Sequence, residues 1–350
     1  MSFYKLFALI ALLVVFPSCE EEVTNVNDLF SVTIKDQKKK YTTEESIEVS
    51  LVNKKNKEIS TITYNLDDVS VSANASESKT ISLSEKKLGK RSVIATVVVD
   101  DKSYTVSKDI IIVASKSPKL YSYKILETYP HDNNAYTQGL EFKGDTLYES
   151  TGQRKESSLR KIAYKTGEVL QKVALQDQYF GEGLTILNNK IYQLTWQAKT
   201  GFIYNLNTLE RTGTFVYGKS KEGWGLANDG AKIYKSDGTE KIWTLNAETL
   251  AEEDYIEIYT NKSKIDSVNE LEYVDGKIYA NIYQKDAIAI VNPNNGAVEG
   301  VINLKSLKEQ VTQHPKLDVL NGIAYKGEPN ILYITGKNWD KLFKIEIIAN

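Results

Sequence analysis

Cysteine is the scarcest chemistry in this chain of 350 residues. It has one, Cys19, and so no intramolecular disulfide. Histidine is nearly as rare: His131 in "YPHD" and His314 in "TQHPK" stand alone in different loops. No Cys/His metal cluster, Ser-His-Asp spacing or phosphate-binding glycine loop appears. An excess of one charge is missing too, because 44 basic and 46 acidic residues leave a formal net charge of -2. That excludes a field able to hold nucleic acid or an anionic membrane. Beyond residue 18 no apolar run is long enough to span a bilayer. Methionine occurs once against 22 tyrosines, a balance that suits strands better than helices. The expectation is a mostly β protein with room for two or three domains.

What is present begins with an export signal over residues 1–18: Lys5, the apolar run "LFALIALLVVF", then "PSC". The stretch "VFPSCEEE" resembles a bacterial lipoprotein processing site, which implies cleavage before Cys19 and lipidation of that residue. An ordinary signal peptide with an incidental cysteine is the alternative. Acyl chains on Cys19 would anchor the protein to the cell envelope, at the outer membrane, without spanning it. Residues 19–28 read as a polar tether. Between 29 and 115 run seven short alternating segments, among them "SIEVSLV", "STITYNL" and "SVIATVVVD". Seven strands in under a hundred residues predict an immunoglobulin-like β-sandwich, a spacer or binding module without catalytic residues. Ala114 to Lys119 reads as a linker.

From Tyr121 the sequence repeats. The units "GLEFKGDTLYEST", "GLTILNNKIYQLT", "GLANDGAKIYKSD", "ELEYVDGKIYANI" and "GIAYKGEPNILYITG" begin at Gly139, Gly183, Gly225, Glu270 and Gly322, spaced by 44, 42, 45 and 52 residues. Each pairs two strands across a tight turn, and four are followed by two more strands. Four strands per period predict a five-bladed β-propeller over residues 120–350. The last unit lacks a fourth strand, and "YSYKILETYP" before the first unit has no unit of its own. Pairing the two would complete the fifth blade and remove an open edge.

Inner strands of such a ring line one axis, so equivalent positions gather there. The position before each inner strand reads Gln138, Glu182, Trp224, Asn269 and Asn321, all polar or aromatic. The next but one reads Leu140, Leu184, Leu226, Leu271 and Ile323, as packing requires. Four residues after the shared tyrosine of each second strand stand Gly152, Trp196, Gly238, Tyr283 and Lys337, followed by a polar column of Gln153, Gln197, Thr239, Gln284 and Asn338. Together they describe a pocket with aromatic walls, one acid and one base, suited to a small polar ligand with a cationic end. Glu182, between two glycines in "YFGEGLT", reads alone as a solvated turn. As the lone acid of its ring it becomes a candidate general acid/base with a raised pKa, beside Lys337 as a stabiliser of an oxyanion. A structural ion pair of the two in a plugged channel is the alternative.

The segments "YPHDNNAYTQGLEF", "YESTGQRKESSLRK", "YFGEGLTILNNKIYQLTW", "EGWGL", "SDGT", "NELEY", "LNGIAY" and "TGKNWDKLFKIE" together resemble the glutamine cyclotransferases of plant and bacterial type, from about Tyr129 to Glu346. The resemblance implies a five-bladed propeller that converts N-terminal glutamine of peptides or proteins to pyroglutamate with release of ammonia, with Glu182 as catalytic acid/base and Lys337 beside it. It places Tyr136, Gln138, Phe180, Trp196, Trp224 and Asn269 in the substrate pocket, where Tyr283 and Asn321 join them from the aligned rings. Where the family has tryptophan in a "WQTD"-like segment this chain has "YQKD", so Tyr283 replaces an indole. No cofactor is required, a structural cation at most, and a monomer is expected. Two other readings remain open: a metal-dependent, lactonase-like propeller hydrolase using Glu182, Asn269 and Asn321, and a non-enzymatic propeller binding peptides or glycans.

Overall fold

The computed structural model describes residues 25–74 and 77–350; the export signal, Cys19 with its expected lipidation, and most of the tether lie outside them. The described chain is all-β, with one short helix, Val26–Leu29, and one 3-10 turn, Lys308–Gln310.

The first unit is two sheets over one core. Phe30–Ile34, Ser46–Asn53 and Lys79–Ser82 form one; Tyr41–Thr42, Lys102–Val113, Gly89–Val99, Thr61–Leu66 and Val69–Ala73 form the other. Period-two alternation turns Ile47, Val49, Ile62, Tyr64, Val93 and Val97 into a shared apolar cluster. The seven expected strands are there. The eighth, Tyr41–Thr42, pairs in parallel with Ile112 and Val113 and is too short to show an alternation in sequence.

Beyond Lys119 the strands form five groups. Thr137–Lys143, Thr146–Thr151, Ser158–Ala163 and Glu168–Ala174 make the first sheet; Gly181–Leu187, Lys190–Thr195, Thr200–Asn205 and Arg211–Val216 the second; Leu226–Asn228, Lys232–Ser236, Lys241–Asn246 and Glu252–Glu257 the third. The fourth group is Val268–Val274, Lys277–Ile282, Ala287–Val291 and Val298–Asn303, and the fifth is Leu320–Ala324, Ile331–Gly336 and Lys341–Ala349. Lys119–Pro130 supplies the fifth group's outer strand, pairing Tyr129 with Leu342 and Tyr121 with Ala349. Its first residues also pair in parallel with Gly300–Ile302, which merges the last two groups into one eight-stranded sheet.

The first strands of the groups crowd together. A Cβ on Gly139 would lie 2.5 Å from the Leu184 nitrogen, one on Gly183 would lie 2.6 Å from the Gly225 Cα, and one on Gly225 would lie 2.2 Å from the Asn269 carbonyl oxygen. Glycine recurs here because neighbouring backbones touch. Between the fourth and fifth groups a side chain bridges instead, as Glu270 accepts from the Ile323 nitrogen at 2.9 Å. The circuit returns to the first group through Asn321, which donates to the Thr137 carbonyl at 2.9 Å.

The two units are in direct contact. Glu257 accepts from the Lys90 nitrogen at 3.0 Å, the Leu88 nitrogen donates to Asn295 at 2.9 Å, Lys87 pairs with Asp254, and Tyr259 packs into the first unit's core. Gly89, at φ +95°, sits where any Cβ would collide with Glu257.

Candidate active site

The ring residues expected just before each first strand lie inside it in four of the five groups, at β-bulges. Pairing along the second sheet jumps from Gly181↔Thr195 to Leu184↔Gln193, leaving Glu182 and Gly183 out of the regular ladder. The same irregularity brackets Gln138 between Thr137 and Gly139, Asn269 between Val268 and Leu271, and Asn321 between Leu320 and Ile323. A bulge bends its strand and re-aims a side chain, so polar residues can leave the core-facing pattern of the leucines that follow. In the third group the strand begins later and Trp224 precedes it.

These side chains meet. Gln138 Nε2 donates to Glu182 Oε1 at 2.9 Å, and Asn321 Nδ2 donates to Gln138 Oε1 at 3.0 Å, a relay running from the fifth group through the first to the second. Glu182 Oε2 is buried without a partner, as are Asn269 Oδ1 and Asn321 Oδ1. The backbone around Glu182 is fixed from both sides. Ser150 donates to the Glu182 carbonyl and takes a bond from Gln193 at 2.7 Å, while the Gly181 nitrogen donates to Ser157 Oγ at 2.9 Å. "SSLRK" thereby acquires a structural part: Ser157 holds the acid's strand, and Arg160 pairs with Asp132 at 2.9 Å in the loop leading to Tyr136.

Tyr136 stands edge-on to Phe180 at 6.0 Å between centroids, Phe180 to Trp196 at 5.6 Å, and Trp224 to Tyr283 at 5.7 Å. The glycines at positions 152 and 238 of the second ring are not gaps, since a Cβ there would strike Phe180 or Trp224 at 2.4 Å. Lys337 places its ammonium over Tyr136 at 4.8 Å and Tyr283 at 5.2 Å. It makes no ion pair with Glu182 within 4.0 Å, and the two buried groups act on each other through space.

Glu182 is 4% exposed, and this desolvation holds its carboxyl well above the ordinary range; Lys337 opposes the rise and Glu222 adds to it. Burial also pulls the Lys337 ammonium down, against the attraction of Glu182 and Asp318. In both groups burial disfavours the charged form while the attraction between them favours it.

Two carboxylates that sequence reasoning passed over belong here. Glu222 accepts from Trp196 Nε1 at 2.7 Å, Trp224 Nε1 at 2.9 Å and Gln197 Nε2 at 3.1 Å. Asp318 accepts from the Tyr136 hydroxyl at 2.8 Å. Glu222 was within reach of sequence, lying in the quoted "EGWGL"; Asp318 offered no signal. The polar column divides: Gln153, Gln284 and Asn338 have φ of 80°, 62° and 60°, so they serve as left-handed turn positions as much as pocket lining. His131 is buried between Trp339 O at 2.7 Å and Glu149 at 2.9 Å, and His314 bonds to Asn338 O at 2.8 Å, both holding loops. Trp243 and Trp339 are buried packing residues. Among the described residues no three His, Cys, Asp or Glu are arranged to hold a metal ion.

Residues 93–347 match the family described as glutamine cyclotransferase, starting within Gly89–Val99 and so ahead of the Tyr129 at which the sequence resemblance starts. Over 234 residues the chain is 38% identical to a glutaminyl-peptide cyclotransferase of Arabidopsis thaliana, covering 66% of this chain and 73% of the plant protein. The crystal structure of a glutaminyl cyclase from Myxococcus xanthus matches with a TM-score of 0.62 at 31% identity, over 67% of this chain and 99% of that one. The described residues are all-β, and each of the three matches carries the name of an enzyme that cyclises glutamine. The chain belongs to the glutamine cyclotransferase family, and its activity is that of a glutaminyl-peptide cyclotransferase.

Proposed function

We propose that Glu182 carries the proton in this cyclisation. The observation behind it is the orphaned, buried Glu182 Oε2, in a ring whose Asn269 Oδ1 and Asn321 Oδ1 are likewise buried acceptors without donors. An N-terminal glutamine brings donors of the right kind, an α-amine and a carboxamide. Its neutral amine attacks the carboxamide carbon. As the new N–C bond forms, the amine proton passes to the Glu182 carboxylate. Glu182 then protonates the departing carboxamide nitrogen, the old C–N bond breaks, and ammonia leaves a five-membered lactam. The reaction lies within one molecule, so holding a reactive conformer supplies much of the rate. Lys337 stabilises the tetrahedral oxyanion. Tyr136, Phe180, Trp196, Trp224 and Tyr283 form the walls, and Gln138, Asn269 and Asn321 orient the substrate. The proposed chemistry draws on no cofactor, and the role left to a cation is structural.

In this reading the five strand groups are blades of a closed propeller over residues 120–350, supported by the crowding of their first strands and by Lys119–Pro130 completing the fifth. The first unit, 29–115, is an immunoglobulin-like sandwich, and the protein is an exported lipoprotein held through Cys19 at the outer membrane, acting as a monomer on exported peptides or proteins. A cavity of about 420 Å³ lined by Asn134, Tyr136, Arg154 and Asp318 gives the rest of the peptide a way out.

A Gln-initiated peptide should release ammonia and lose its free amine. Glu182→Gln should reduce both by about a thousandfold or more while thermal melting shows an intact fold. Release at the wild-type rate by this variant would remove Glu182 from the mechanism.

A further inference from the structure

The segment between the second and third strand groups reaches the pocket with a carboxylate that the reaction itself does not use. Glu222 receives both pocket indoles, at 2.7 Å from Trp196 and 2.9 Å from Trp224, although these residues belong to different groups. Gln197 adds a third bond at 3.1 Å. No lysine or arginine pairs with the Glu222 carboxylate among the described residues, so its charge is not cancelled locally.

The segment is itself anchored. Lys235 is fully buried, and its ammonium donates to the Glu222 carbonyl at 2.8 Å and to Ser220 Oγ, and pairs with Glu252 at 3.3 Å. Glu252 in turn accepts from the Lys219 and Ser220 nitrogens at 2.6 and 2.9 Å. Gly223 lacks space for any side chain, since a Cβ would lie 2.5 Å from the Tyr217 hydroxyl. A buried lysine with a satisfied carboxylate is costly to break, so the segment has a defined place.

Resting on the mechanism above, we infer that Glu222 is a positioning residue that clamps Trp196 and Trp224 into one pocket wall and sets the field in which Glu182 exchanges its proton. Gln138 from the first strand group touches Glu182 at 2.9 Å, and Lys337 from the fifth, Glu222 and the phenols of Tyr136 and Tyr217 act on it through space. Burial keeps both phenols neutral. Lys337 and Glu222 are therefore the charges that act on the acid, and they act in opposite directions.

The test is kcat/KM for a Gln-initiated peptide across pH, with near-ultraviolet circular dichroism of the tryptophans. Removing the charge in Glu222→Gln favours ionised Glu182, so the acid limb moves to lower pH, by roughly half a unit. Glu222→Asp keeps the charge but is too short to reach both indoles. It leaves the limb in place, raises KM and weakens the tryptophan signal. A limb unmoved in Glu222→Gln, with activity lowered equally at every pH, shows a residue that only holds the loop and overturns the inference. So does Glu222→Asp with unchanged KM and tryptophan signal, which decides the matter even where Glu222→Gln does not fold. Wild-type protein without ammonia release would instead contradict the activity, and an active Glu182→Gln the role of Glu182.

Discussion

Glu182 lies between Gly181 and Gly183 for two different reasons. A side chain at 181 would meet the Thr151 carbonyl at 2.6 Å, and one at 183 would meet the next inner strand at Gly225. The glycines allow the bulge to be packed from both sides, and the bulge presents the acid. Lys337 works against Glu222 here, since it favours the carboxylate that Glu222 disfavours. Lys337→Met should therefore lower kcat by about a hundredfold through loss of oxyanion stabilisation. It should also move the acid limb to higher pH, because Glu182 loses the cation that favours its carboxylate. A rate profile with the limb in its wild-type position would show that the two groups are not coupled. Replacing the family's indole by Tyr283 leaves an aromatic ring under Lys337 and against Trp224, so the wall persists with a smaller face.

At the scale of strands, carboxylates staple the inner strands to each other. Glu270 accepts from Ile323, Glu272 from the Tyr325 nitrogen at 2.8 Å, and Glu141 from the Ile186 nitrogen at 3.0 Å. Burial raises all three, and repulsion from neighbouring carboxylates adds to the rise at Glu270 and Glu272; Glu141 is pushed up to about 7 and the other two well above the ordinary range. Below about pH 4.5 both folded and unfolded chains hold these protons. Between that value and the folded pKa only the folded chain does, so each rise in pH through this window costs stability. Melting temperature should fall from pH 5 to pH 8, and Glu272→Gln should flatten the slope. A wild-type melting temperature that climbs across this range would contradict the assignment. The bulges at these strands were not legible in sequence, because a bulge is an irregularity of pairing between two strands and leaves no fixed residue signature in either.

At the scale of the molecule, the segment expected to be a linker is short and engaged: Ala114 bonds to the Thr260 carbonyl at 3.3 Å, and Lys119 already pairs with Gly300. The contact between the units includes Glu257, which is buried and receives the Lys90 nitrogen. Glu257→Ala should cost about 1–2 kcal/mol by leaving that donor unpaired. It should also separate the thermal unfolding of the two units while kcat/KM is unchanged, since no contact residue belongs to the pocket. A single transition at the wild-type temperature would mean that the units are held elsewhere.

The repeat period, the alternation and the one acid among five aligned positions are properties of the chain itself. They pointed to the strands, to the pairing of "YSYKILETYP" with the last unit, and to Gln138, Glu182, Asn269, Asn321 and Lys337 as candidates for one site. Tertiary structure alone decided which atoms meet. Glu222 clamps indoles 26 residues before it and 2 after it because two strand groups converge on its segment, and Glu182 keeps one oxygen free because Gln138 occupies only the other. Local pattern records which face a residue takes; hydrogen-bond partners across converging sheets depend on backbone positions that no local pattern encodes.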